Sequence, residues 1–318
     1  SPSFVPFVPS GVPHSHSRIP HSAFPRVFHA EHAEDGGRRS VSPEVRRRRN
    51  HKSHRDHKTG DLTLRPGVRY EWLELDDRRT NNTTGVTTRD SGDENLWTAG
   101  LGANYQLNDC NSLFGGIYRG VSSPGAGAYL TGTDEEESIG YELGIRHRRD
   151  YLNLELTGFF TDFDNLISTD TGLGGSDQRN AGAAEVYGIE SIAQYDAGRA
   201  AGLTYGIPLY LSATWTSAEF KDTPSALAGG GDDIYAGGKD GNEIPYVPEW
   251  KLAAGIGIEA EKWGANLDAV YSGSTWGTGF NGDTRHNLFD EQEIVSRIPE
   301  GPRANAPRMI YAGFETQF

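Results

Sequence analysis

The chain has 318 residues, 35% of them apolar, with 41 Gly, a single Cys and 44 acidic against 30 basic residues. One cysteine excludes an intrachain disulfide and a cysteine-rich metal centre, and no apolar run approaches the roughly 20 residues that a membrane-spanning helix needs. The charge is unevenly spread: residues 1–60 carry 11 basic and 5 acidic residues, whereas 61–318 carry 19 basic and 39 acidic.

Residues 1–60 also hold eight of the ten His and seven of the sixteen Pro, and neither Tyr nor Trp. Pro at 2, 6, 9, 13, 20 and 25 interrupts both helix and sheet hydrogen bonding. The basic run from Arg46 to Lys58 has no apolar period. Such a segment buries too little surface to offset chain entropy and is expected to be disordered. The run Arg46-Arg47-Arg48-Arg49 lacks the interleaved aromatics and surrounding fold of a nucleic-acid site. His51, His54 and His57 lack the carboxylate or thiolate support of a metal site. No secretory signal is visible, since no basic start precedes an apolar stretch and a small-residue cleavage site.

From Asp61 the pattern changes to period two, the mark of strands with unlike faces. Ten strands are expected, at about 61–74, 94–107, 112–121, 137–148, 151–163, 184–195, 203–218, 249–260, 263–274 and 307–318. In the second, Trp97, Ala99, Leu101, Ala103 and Tyr105 alternate with Thr98, Gly100, Gly102 and Asn104. In the fourth, Ile139, Tyr141, Leu143 and Ile145 alternate with Gly140, Glu142, Gly144 and Arg146. Similar apolar rows run through Leu152 to Phe160, Leu203 to Trp215, Trp250 to Ile258, Trp263 to Tyr271 and Ile310 to Phe318. Several of these strands exceed ten residues, against about 5–6 for an ordinary strand. They suit tilted strands that cross a bilayer in about 9–11 residues.

The connections alternate as well. Those at 108–111, 149–150, 196–202 and 261–262 are short, and those at 76–93, 122–136, 164–183, 219–248 and 275–306 are long and polar. Outer-membrane barrels follow this rule, with tight periplasmic turns and long external loops. Turning Arg146 and Arg148 toward lipid would cost roughly 2–4 kcal/mol each at the bilayer midplane. The Tyr141 and Leu143 row is therefore the lipid face, and Glu142 and Arg146 point inward. The predicted fold is all-β: an antiparallel transmembrane β-barrel, preceded by a disordered segment over 1–60.

Four stretches resemble one family. Leu62-Thr63-Leu64-Arg65-Pro66-Gly67-Val68-Arg69-Tyr70-Glu71 is similar to a strand common in the barrels of TonB-dependent outer-membrane receptors, particularly the ferric-citrate-type siderophore receptors. Asn180-Ala181-Gly182 with Tyr187-Gly188-Ile189-Glu190, then Pro245-Tyr246-Val247-Pro248-Glu249-Trp250, then Asn287-Leu288-Phe289-Asp290 follow in the family's order. The chain ends on Phe318 of an alternating strand, which the resemblance identifies as an assembly signal read by the barrel assembly machinery. The resemblance covers 61–318 and implies part of a barrel of about 22 strands around a plugged lumen. It implies TonB-dependent uptake of a ferric chelate or similar nutrient in the Gram-negative outer membrane, with lipid, lipopolysaccharide and TonB as partners. The plug and its TonB-contacting box have no counterpart in this sequence, and two strands are expected to be missing near 278–286. The chain is thus expected to be a plug-less fragment whose edges stay unpaired.

Arg119, Arg146 and Arg179 are candidate contacts for an anionic chelate, because the guanidinium fork matches a carboxylate; pairing with a neighbour such as Glu142 is the alternative. The loop from Ala228 to Asp240 is similar to a calcium-binding nonapeptide repeat, with Asp232, Asp233 and Asp240 as candidate ligands. Stacked turns are needed for such a site, and the loop holds barely more than one. Glu135, Glu136 and Glu137 form a carboxylate cluster in another long connection. No G-x-S-x-G, H-E-x-x-H or phosphate-loop motif is present, so no enzyme and no cofactor are expected. His147, which continues its strand's apolar row near a short turn, is expected at an interface. Two further readings stand beside uptake: a small passive porin-like barrel, and a soluble calcium-binding β-protein.

Overall fold

The computed structural model describes residues 44–54, 56–80, 84–130, 132–170, 177–222, 235, 237–282, 286–287, 294–297, 301–304 and 310–316. The chain divides into two units, Ser1–Gly37 and Arg38–Phe318, and every described residue belongs to the second.

The strands in chain order are β1 (Glu44–His54), β2 (His57–Thr59), β3 (Leu62–Thr80), β4 (Thr87–Gln106), β5 (Asn111–Ser122), β6 (Glu136–Arg149), β7 (Leu152–Asp164), β8 (Ile167–Asp170), β9 (Asp177–Asn180) and β10 (Ala184–Asp196). They continue with β11 (Pro208–Phe220), β12 (Trp250–Glu259), β13 (Trp263–Ser272), β14 (Ser274–Thr275), β15 (His286–Asn287), β16 (Ile294–Arg297), β17 (Gly301–Ala304) and β18 (Ile310–Thr316). Two short helical turns, α1 (Ala126–Leu130) and α2 (Ala197–Ala200), lie in connections.

All ten strands expected from the alternation are present. Together with β1 they form one antiparallel sheet in the order β1-β3-β4-β5-β6-β7-β10-β11-β12-β13-β18, with β2 also paired to β3. Each neighbour in the sheet follows the last in sequence, apart from the small hairpins β8–β9, β14–β15 and β16–β17 set into long connections. The sheet is open: among the described residues, β1 and β18 each have a partner on one side alone.

Three features depart from the sequence reading. First, β1 and β2 lie inside the segment expected to be disordered. They pair in succession along β3, from Glu44 opposite Asp76 to Thr59 opposite Leu62, and Gly60 turns the chain at a φ of 59°. Composition speaks to core burial, whereas an open sheet edge offers backbone hydrogen bonds to almost any sequence. Second, most of the long connection expected at 76–93 is strand. β3 and β4 stay paired up to Thr80 opposite Thr87, where the two hydroxyls lie 3.0 Å apart. The apolar period stops well before the backbone ladder does. Third, the strand expected from 203 begins at Pro208, because Asp196 Oδ1 accepts the N–H groups of Arg199 and Ile207, both at 3.0 Å, and ties the intervening turn.

The register assembles the apolar rows of separate strands into a continuous surface. Leu101, Ile117, Tyr141, Phe160 and Tyr187 stand opposite one another in turn. So do Tyr105, Leu113, Ile145, Leu156, Ser191, Ala213, Leu252 and Tyr271. None of these residues is buried, most are exposed, and Leu143 at the middle of the band is 71% exposed. No second layer covers them among the described residues. Trp97, Trp250, Trp263, Tyr105 and Tyr271 border the band and are likewise exposed, where aromatic girdles sit on membrane barrels. Burial is confined to the opposite, polar face. Gly188 marks how closely that face is packed: a Cβ there would lie 2.1 Å from the Trp215 carbonyl oxygen and 2.7 Å from the Phe159 ring.

Candidate functional site

The polar face carries the charged and hydroxyl side chains of the same strands. Arg146 Nε donates to Glu155 Oε2 at 2.5 Å, and its guanidinium lies 4.5 Å from the centre of the Phe114 ring. Arg69 pairs with Glu71 on β3, and Tyr210 donates to Asp268 Oδ1 at 2.9 Å. Glu142 and Glu190 share the face, the latter opposite Thr157 and Thr214. A surface this rich in paired charge is suited to water and polar solutes, not to hydrocarbon.

At the long-connection end, loops fold over this face and create its only two apolar clusters among the described residues. In one, Leu73, Leu75 and Leu96 of β3 and β4 are covered by Ala126 of α1, with Val121 and Tyr129 alongside. In the other, Leu166, Ala181, Ala184 and Phe220 pack with Phe163, Tyr235 and Ile244. Tyr129 also donates to the Asp93 carbonyl at 2.9 Å.

Side chains tie the loops into pairs. Asn180 joins 123–135 to 165–183: its Oδ1 accepts the Asp134 N–H at 2.9 Å, and its Nδ2 donates to the carbonyls of Asp134 at 2.9 Å and Asn165 at 3.1 Å. Thr133 Oγ1 donates to the Gln178 carbonyl at 3.0 Å, and Glu136 Oε2 accepts the Ile167 N–H at 3.0 Å. Asn281 plays the same part between 237–249 and 273–282, accepting the Glu243 N–H at 2.6 Å and donating to the Glu243 carbonyl at 2.9 Å. Asn242 adds a bond to the Gly279 carbonyl at 2.8 Å. At Asn180 and Asn281 an amide side chain, with a donor and an acceptor, substitutes for a strand neighbour.

Three groups here have shifted proton affinities, all beyond the apolar band. Burial pushes the Glu94 carboxyl up, against a hydrogen bond from Ser123 Oγ that favours its charged form. Burial likewise raises Glu136, opposed by the Ile167 N–H. The Tyr129 phenol is raised by burial and then by the nearby carboxylates of Glu94, Glu135 and Asp93. Glu94, Glu136 and Tyr129 are therefore held closer to their neutral form.

The three candidate arginines do not converge. Arg146 is on the polar face and is paired with Glu155. Arg179 lies in β9, opposite Ser168, within the tied loops. Arg119 stands opposite Ala99 and Ile139, in the row of the apolar face, so it does not belong to the interior set. Its guanidinium stacks 4.2 Å over Trp97 and pairs with Glu137 at 2.8 Å. The spacing from Ile117 to Arg119 carried that signal in the sequence. Of the candidate calcium ligands, Asp232 and Asp233 lie outside the described residues, as does Phe318; Asp240 is exposed in a turn, and no group of three metal-ligating side chains occurs among the described residues. His147 Nδ1 lies 2.8 Å from Asn111 Oδ1 near the short turn. The bridging roles of Asn242 and Asn281 left no trace in the period-two pattern; Asn180 belonged to a recognised motif, but its task became visible only across the loop pair.

Comparison with known proteins places this architecture. Residues 56–297 match the family described as TonB dependent receptor-like, beta-barrel. The ferric citrate transporter FecA in its unliganded form is similar at 20% identity and a TM-score of 0.54, over 84% of this chain and 36% of FecA. The ferric yersiniabactin uptake receptor FyuA from Yersinia pestis is similar at 17% identity and a TM-score of 0.58, over 87% and 38%. The copper transporter OprC follows at 14% identity and 0.54, over 84% and 39%. The chain thus spans well under half the length of these solved structures, and the likeness to them is one of fold. Members of the matched family are transporters rather than enzymes. With its ten alternating strands, apolar outer band and roofed polar face, the chain belongs to the TonB-dependent receptor β-barrel family.

Proposed function

We propose that this chain forms barrel wall in a Gram-negative outer membrane and serves TonB-dependent uptake of a ferric chelate or a similar metal chelate. The observation that carries the reading is the contrast between faces: Leu143 is 71% exposed at the centre of an uncovered apolar band, while the reverse side of the same strands holds the Arg146–Glu155 pair. Hydrocarbon on one side and a watery passage on the other account for both. The tied loops would provide a mouth over the polar face, and Arg179, in β9 within them, would be the arginine that meets an anionic chelate from outside. Lipopolysaccharide and phospholipid would surround the band, TonB would supply the energy, and the barrel assembly machinery would read Phe318 as its signal.

The test is uptake of iron-55 as its citrate or catecholate chelate by iron-starved cells that express the chain, with and without TonB. Accumulation that requires TonB and falls when Arg179 is replaced by Ala supports the reading. Ligand-independent conductance in planar bilayers with no TonB requirement would instead assign a passive, porin-like barrel.

A further inference from the structure

The apolar band is not evenly filled. Across β10 to β13 it holds a depression of about 450 Å³, lined almost wholly by apolar atoms. Its floor is Ala193, Ala254 and Ala269, in a cross-strand row where Leu211 is the one large side chain between β10 and β13. Its wall is the next row toward the short turns, where Tyr195, Ile256 and Leu267 stand exposed. β7 and β10 to β13 each have partners on both sides, so the depression belongs to continuous wall and not to a sheet edge. A hollow among side chains that face hydrocarbon has no partner atoms until a flexible chain enters it, and the missing contacts cost free energy.

The wall row also leads out of the band. The register sets Arg149, Leu152, Tyr195, Leu209, Ile256 and Leu267 side by side across successive strands. Arg149 is the last residue of β6 and borders a short turn, whereas Ile256 lies three residues from the end of β12. The row therefore rises from the turn into the band by roughly 10 Å, at about 3.3 Å per residue. A chain laid along it starts at the membrane border and ends in hydrocarbon. Arg149 supplies a positive charge at the border end. Its side chain is 71% exposed, and its one ion pair among the described residues is with the equally exposed Asp150, at 3.9 Å. A guanidinium held this loosely can take a phosphodiester through two N–H donors. Resting on the membrane reading above, we propose that the groove binds one glycerophospholipid of the periplasmic leaflet, with its phosphate on Arg149 and an acyl chain over Ala193, Ala254 and Ala269. Short turns mark the periplasmic side of such barrels, which selects a phospholipid over lipopolysaccharide.

The experiment takes the full chain from membranes into dodecyl maltoside and removes loosely held lipid. Native mass spectrometry then counts bound phospholipid, before and after phosphatidylglycerol is added. The parent is expected to keep one phospholipid per chain. Ala254→Phe, which fills the groove, and Arg149→Gln, which removes the phosphate contact, should each lower the bound fraction several-fold. Ala103→Phe, on the same face in β4, and Arg148→Gln, on the polar face beside the same turn, should bind like the parent. Amide-exchange protection of β10 to β13 is measured alongside; if Ala254→Phe loses it, Arg149→Gln decides, because that side chain is exposed at the turn. Equal losses in the two control variants would overturn the site in favour of unspecific contact. Retention of lipopolysaccharide in place of phospholipid would overturn the assigned leaflet and ligand. No bound lipid on a chain that resists carbonate extraction sinks the groove alone; recovery of the chain in the aqueous phase sinks the membrane reading, and the groove with it.

Discussion

The two faces of the sheet obey different rules although they are made by the same strands. On the outer face, large apolar side chains are exposed in rows that cross the sheet, and Leu143, the most exposed of them, has Gly115 and Gly158 as its cross-strand neighbours. On the polar face, side chains pair as Arg146–Glu155, Arg69–Glu71 and Tyr210–Asp268, and near the loops the packing is dense enough to bury Leu75 and Phe220 almost completely. A soluble protein places its dense packing against its apolar face. Here the order is inverted, as the proposed membrane setting requires, since an apolar face that meets lipid needs no protein partner. The stable contacts that hold loops in place must then be built on the polar side.

The sharpest way to break this contrast is to move one charge across the sheet. Leu143→Arg is expected to cost about 2–4 kcal/mol of stability in phosphatidylcholine vesicles, while Thr214→Arg, on the polar face beside Glu190, stays within about 0.5 kcal/mol of the parent. Urea titration of vesicle-inserted protein measures both. A Leu143→Arg protein as stable as its parent and soluble without detergent would invert the assignment of the faces. Next in size is Gly188→Val, whose side chain would collide with the β11 backbone and the Phe159 ring. Overpacking of this kind costs about 1–3 kcal/mol, and the same titration should show it.

Asn180→Ala tests the roof without disturbing the wall. It removes three hydrogen bonds to Asp134 and Asn165, each worth about 0.5–1.5 kcal/mol net. Amide exchange is expected to accelerate at Asp134 and Ala181, while the strands β5, β6 and β7 keep the parent's protection. The smallest effect is expected from Glu94. Its pKa in the folded roof is raised, so the folded state holds the proton more tightly than the open one. Closure of 123–135 over β3 and β4 is therefore favoured most at pH below the ordinary carboxylate value, and weakens as pH rises from that value through the raised one. Glu94→Gln should flatten this dependence, read as the pH profile of amide exchange at Ala128 and Thr133.

Much of the wall was legible in the chain. Alternation is a local property, since consecutive residues of a strand must point to opposite sides. The rows around Trp97, Tyr141 and Leu154 therefore declared both the strands and the face that meets lipid. The alternation of short and long connections announced the two ends of the sheet for the same reason. The limits were equally physical. Backbone pairing continues past the apolar period, so the β3–β4 hairpin ran on to Thr80 and Thr87 where a loop was expected. Edge pairing ignores composition, so β1 formed in a basic segment that has no apolar surface to bury.

What the sequence determined by itself is the membership of each strand residue in one of two faces, and through it the wall of alternating strands. What only the tertiary structure decided is which distant groups meet across strands and loops: Arg119 over Trp97, Asn180 between two loops, Asn281 between two more, and two sheet edges left apart. A side chain's face follows from its own backbone, whereas its partner depends on the register between segments tens of residues apart, and no local pattern encodes that register.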